Sequence, residues 1–144
     1  MGTSSAAVPI ITTTTSSTTT TTASCSNCPT TISATADPGS TPGAVGSITQ
    51  TRGTNSTTGC ATLTITCTNT DGGQTVFQLF FNGINCGTAP SPIPTGSATI
   101  TLQCNTAGQW TFTGPNGANA CSGFGTVVGN NLVLPITAVT CLAA

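Results

Sequence analysis

Residues 60–67 read Cys60-Ala61-Thr62-Leu63-Thr64-Ile65-Thr66-Cys67, a strict alternation of apolar and hydroxyl side chains. In an extended chain successive side chains point to opposite faces. Ala61, Leu63, Ile65 and Cys67 therefore share one face, and the threonines share the other. Residues 97–104 repeat this grammar with Ala98, Ile100, Leu102 and Cys104. Strands with one apolar face need a second layer to bury it, which predicts packed sheets.

The pattern extends outward from these two segments. Residues 74–82 put Phe77, Leu79 and Phe81 on one face, with Val76 and Phe80 on the other. Trp110 and Phe112 alternate with Gln109 and Thr111, and residues 124–128 and 132–141 supply two more apolar runs. Pro135 predicts a bulge or an edge position in the last of these. Residues 30–36 and 45–51 are weaker strand segments. Turn chemistry separates the runs at Asp71-Gly72-Gly73, Ala107-Gly108, Pro115-Asn116-Gly117 and Gly129-Asn130-Asn131. No window carries a helical period. The expected fold is all-β, a disulfide-braced antiparallel β-sandwich over residues 25–144, preceded by an extended Thr/Ser-rich N-terminal tail over residues 1–24.

Apolar residues make up only 36% of the 144-residue chain, so the core is thin and cross-links are expected to contribute. Eight cysteines are available: Cys25, Cys28, Cys60, Cys67, Cys86, Cys104, Cys121 and Cys141. An even count predicts four disulfides and an oxidising, extracellular setting. Cys67, Cys104 and Cys141 each close a strand on its apolar face. Residues 1–11 lack the basic start and long apolar stretch of a signal peptide, so secretion rests on the cysteines. No segment is long and apolar enough to cross a bilayer.

Charge is almost absent. Arg52, Asp37 and Asp71 are the only charged side chains, and the sequence has no His and no Tyr. A formal net charge of −1 gives no electrostatic case for nucleic acid. With no His or Lys to activate a serine, and both Asp residues in turn sequences, no enzymatic activity and no catalytic residues are expected. Cys25-Ser26-Asn27-Cys28 has the spacing of half a zinc site, but no second pair of ligands accompanies it; two structural half-cystines are the reading, with no metal and no cofactor. Trp110, the sole Trp, reads as core. The Thr-x-Thr ladders resemble an ice-binding array only loosely, because no short repeat aligns them; strand propensity on a solvated face explains them.

The tail has two parts. Val8, Ile10 and Ile11 are apolar, and Thr12, Thr13, Thr14, Thr15, Ser16, Ser17, Thr18, Thr19, Thr20, Thr21 and Thr22 form an unbroken hydroxyl tract. The tract has the composition of an O-glycosylated stalk. Asn55-Ser56-Thr57 is an N-linked acceptor sequence in a polar loop.

Taken together, Cys25-x-x-Cys28, Gly59-Cys60-Ala-Thr-Leu-Thr-Ile-Thr-Cys67, Phe81-Asn82-Gly83, Cys104-Asn105 with Trp110 beyond, and Val139-Thr140-Cys141 resemble the nematode six-cysteine ("C-six") extracellular domain. The resemblance covers about residues 25–141. It implies a secreted or cell-surface β-rich domain and no enzymatic mechanism. Cys86 and Cys121 are additions to that pattern, which implies that they pair with each other as a fourth bridge.

The expected function is a non-enzymatic structural protein that self-assembles into an extracellular fibre or matrix. Strands without Lys or Glu guards leave sheet edges open to other chains. A tail of 24 residues spans up to roughly 80 Å when extended, more than the roughly 35 Å diameter of the domain. Val8, Ile10 and Ile11 of one copy would then add to the sheet of the next, head to tail, as a homopolymer. The alternative expectation is a monomeric module on a glycosylated stalk that binds carbohydrate or protein.

Overall fold

The computed structural model describes Gly2, residues 24–114 and residues 133–144. Nine strands and no helix occur among these residues: β1 (Ser33–Ala36), β2 (Val45–Thr54), β3 (Ala61–Asn69), β4 (Thr75–Phe81), β5 (Ile84–Ala89), β6 (Ser97–Cys104), β7 (Trp110–Thr113), β8 (Val133–Pro135) and β9 (Ala138–Ala143). One sheet has the order β1-β9-β4-β5 and the other β2-β3-β6-β7-β8. The fold is all-β, as the alternation predicts, and disulfide-braced, as the cysteine count predicts.

The core follows from the segments that set the pattern. Every second residue of β3 from Ala61 to Asn69 is buried, and Ala98, Ile100, Leu102 and Cys104 of β6 are buried beside them. The second sheet contributes Phe77, Leu79 and Val139 to the same cluster. Each such Leu, Ile or Phe stabilises the fold by about 1.5–3 kcal/mol through the apolar area it removes from water. Cys67 and Cys141, both fully buried, join β3 to β9 across the two sheets, so a covalent link runs through the core.

Several elements differ from the sequence expectation. The run over 132–141 is two strands rather than one. Pro135 lacks an N–H, β8 ends there, and Ile136-Thr137 carry the chain across to the other sheet. Residues 45–51 extend to Thr54, whereas 30–36 shrink to Ser33–Ala36. Phe81 is half-buried, unlike Phe77 and Leu79. Of the three strand-closing cysteines only Cys104 is terminal; Cys67 and Cys141 lie within β3 and β9. The β1·β9 pair is parallel. These strands are far apart in sequence, so no tight turn forces them antiparallel. The apolar run 124–128 lies outside the described residues.

Candidate functional site

Three features of the sandwich are available for contact: a clamp that seats the N-terminal segment, a cleft beside that segment, and the free edge of β2.

The clamp is built on the inner face of β2. Arg52 and Gln50 pair with Leu63 and Ile65, whose side chains are buried in the core, so they too point inward. The chain entering at Ser24 crosses this face. Gln50 exchanges two hydrogen bonds with the backbone of Ile32: the Ile32 N–H donates to Oε1 at 3.0 Å and Nε2 donates to the Ile32 carbonyl at 2.8 Å. Arg52 Nη1 donates to the carbonyls of Cys28 (2.8 Å) and Pro29 (3.3 Å), and Nη2 donates to that of Ser26. The same segment is stitched down by Cys25–Cys60 and Cys28–Cys104. The only Lys or Arg of the sequence is thus spent on main-chain carbonyls, which suits the planar, multi-donor guanidinium. Composition flags Arg52 as unusual, yet no local motif marks it or Gln50 as a clamp, because both partners are backbone.

Beside the clamp lies a cleft of about 350 Å³. Pro29 and Ile32 form one wall, the turn at Gly108-Gln109 with Trp110 another, and Pro135 and Ile136 a third. Its walls are mostly apolar. Trp110 reaches it only at the margin, being 1% exposed, so the reading of Trp110 as core holds.

β2 ends the five-stranded sheet. Its register with β3 is unbroken from Ile48 to Thr54 after an irregularity between Val45 and Ile48. On the outer face the pairings align Thr49 with Thr66 and Thr99, and Thr51 with Thr64 and Thr101. Alignment that the sequence lacked is supplied by strand register. The hydroxyls of Thr64 and Thr101 lie 3.1 Å apart and those of Thr66 and Thr99 3.0 Å apart, so they hydrogen-bond to each other as cross-strand pairs.

Asn55 sits at the turn between β2 and β3. Its Oδ1 accepts from the N–H groups of Thr57 (2.9 Å) and Thr58 (3.1 Å), while Nδ2, the atom that would carry a glycan, is 3.5 Å from Gln103 Oε1. The two carboxylates are also turn residues. The Gly39 N–H donates to Asp37 Oδ1, and Asp71 occupies a turn whose N–H is held by Asn69 Oδ1. They lie in separate loops. Cys86 is disulfide-bonded as well; Cys121, the partner expected for it, lies outside the described residues. Val8, Ile10, Ile11 and the tract Thr12 to Thr22 lie outside them too.

Among known families, a profile described as the C6 domain matches residues 39–141. Cys25 and Cys28 precede the matched span, but their partners Cys60 and Cys104 fall inside it. No curated protein and no solved structure matches the chain.

Proposed function

We propose that this chain, which belongs to the C6 domain family, is a non-enzymatic extracellular structural module that assembles head to tail into a fibre or matrix. The cleft between the N-terminal segment, the β7 turn and Ile136 is the observation that carries this reading. It has apolar walls, a size suited to a few aliphatic side chains, and a position at the margin where the two sheets part. In the proposed assembly Val8, Ile10 and Ile11 of one copy fill the cleft of the next. Thirteen residue-to-residue steps separate Ile11 from Ser24. They span up to roughly 45 Å when extended, enough to leave the parent domain. A head-to-tail contact of this kind does not close on itself and propagates.

The disulfides support an extracellular setting, since three bridges in a domain this small belong to an oxidising compartment. Sugars on the Thr tract and Asn55 would supply the solubility that charge does not. Negative-stain microscopy of the full chain and of a variant lacking residues 1–24 tests the proposal. Filaments from the full chain and none from the truncation are expected; filaments that persist in the truncation overturn the donor role.

A further inference from the structure

The N–H of Asn55 donates to the carbonyl of Cys60 at 2.8 Å, continuing the β2·β3 ladder. In an antiparallel ladder the main-chain groups of alternate residues point to alternate sides. Thr49, Thr51 and Gly53 therefore turn their N–H and C=O groups toward β3. Ile48, Gln50, Arg52 and Thr54 turn theirs away from the sheet. Among the described residues no main-chain hydrogen bond reaches those four.

An open edge of this length is normally guarded by Lys, Pro or a bulge. β2 has an irregularity only at its start, before Ile48, and no Lys or Pro anywhere. Its one charge, on Arg52, is turned inward and held by the carbonyls of Ser26, Cys28 and Pro29. The exposed run is therefore a strand with threonine on one face and polar side chains on most of the other.

We infer that this edge pairs antiparallel with the β2 edge of a second copy, about a two-fold axis at Thr51. The chemistry of β2 is its own best match. Pairing about Thr51 brings together the main-chain groups that point outward, Gln50 with Arg52 of the second copy and Ile48 with Thr54. It sets Arg52 opposite a neutral amide rather than opposite another guanidinium. It also continues the Thr51–Thr64–Thr101 row directly into the equivalent row of the other copy. The apolar tail segment, interrupted by Pro9, matches this polar edge poorly. About eight main-chain hydrogen bonds form. The contact is narrow beside the roughly 1,600 Å² of a standard interface, so the dimer is weak and concentration-dependent.

This inference rests on the reading of the chain as self-associating but uses a different surface from the tail. Sedimentation of the full chain over a range of concentrations tests it, with Thr51→Lys as the probe and Thr106→Lys, in an exposed turn, as the control. Two lysines opposite each other at the axis should raise the dimer dissociation constant about fivefold, while Thr106→Lys leaves it unchanged. In Thr51→Cys the two thiols face each other where Cα atoms are about 4.5 Å apart, within disulfide reach, so mild oxidation should yield a dimer linked through that position. The truncation lacking residues 1–24 should lose filaments yet keep the dimer. Association indifferent to Thr51→Lys, or a truncated chain that stays monomeric at every concentration while the full chain still associates, overturns the inference without touching the tail; a full chain that is monomeric at every concentration overturns both. A dimer lost with residues 1–24 but not with Thr51→Lys identifies the tail as the occupant and overturns it as well.

Discussion

The guanidinium of Arg52 lies 5.6 Å from the centroid of the Trp110 ring, and the Nε1–H of that same indole donates to the carbonyl of Pro29 at 3.0 Å, a carbonyl that Arg52 also reaches. The two side chains come from β2 and β7, and both close on the backbone of the entering segment. One carbonyl is thus held from two sides, and the segment becomes part of the sandwich instead of a loose leader. The walls of the cleft depend on this, since Pro29 and Trp110 both line it.

Arg52→Ala should destabilise the domain by about 2 kcal/mol, from the loss of charge-assisted hydrogen bonds and ring contact at a partly exposed site. Arg52→Lys keeps the charge but not the fork, and should recover less than half. Combined with Trp110→Phe in a double-mutant cycle read by denaturant unfolding, the coupling should be about 0.5–1 kcal/mol. Strict additivity would mean that the ring contact contributes nothing.

The bridges should differ in what they hold. Cys67–Cys141 spans 74 residues and Cys25–Cys60 spans 35. Loop entropy alone separates them by only about 0.7 kcal/mol. Burial adds to the difference: Cys67 and Cys141 are fully buried, whereas Cys25 and Cys60 are half-buried. Replacing Cys67 and Cys141 by Ala should cost about 3–5 kcal/mol. The Cys25/Cys60 double replacement should cost less globally and loosen residues 24–27 locally. Hydrogen exchange with denaturant melts separates the two effects; equal global losses would contradict the assignment.

The alternating strands were legible because burial on one face writes itself into a two-residue period. β3, β4, β6 and the start of β7 follow from it. β5 was missed because Ile84-Asn85-Cys86-Gly87-Thr88-Ala89 has no such period. Its signal was the preceding Asn82-Gly83, whose positive φ angles of 49° and 82° form the tight two-residue turn of a hairpin. The parallel β1·β9 pair and the Arg52 and Gln50 clamp join residues distant in sequence through main-chain groups. Beyond the rarity of Arg52, side-chain identity carries no trace of them. The Thr rows were visible as ladders, but only strand register could align them.

Gly73 packs against the carbonyl of Ala144 so closely that a β-carbon there would lie 1.7 Å from the oxygen. Asn69 Nδ2 donates to that carbonyl, and the Ala144 N–H donates to Gln74. Gly73→Ala must displace the end of β9 and both bonds, a loss of about 2–3 kcal/mol. Gly72→Ala meets no neighbour but is strained by its positive φ of 72°, and should cost about 1 kcal/mol. Thermal melts of the two variants should rank them in that order.

Asn55 combines a structural role with the proposed glycan, and the two separate by choice of substitution. Its Oδ1 closes the β2–β3 turn through the N–H groups of Thr57 and Thr58. Asn55→Ala should therefore cost about 1 kcal/mol whether or not sugar is attached. Asn55→Asp keeps the acceptor oxygen and should cost little. No side-chain hydrogen bond of the Thr57 hydroxyl occurs among the described residues, so Thr57→Ala removes the acceptor sequence while leaving the turn intact. From a secreting host, Thr57→Ala and Asn55→Asp should both drop by the mass of one glycan in intact-protein mass spectrometry. After enzymatic deglycosylation both should unfold within about 0.5 kcal/mol of the deglycosylated parent, the usual range for surface substitutions. An unchanged mass in both variants would show that Nδ2, beside Gln103, carries no sugar. A large stability loss in deglycosylated Asn55→Asp would show that the turn needs the amide itself.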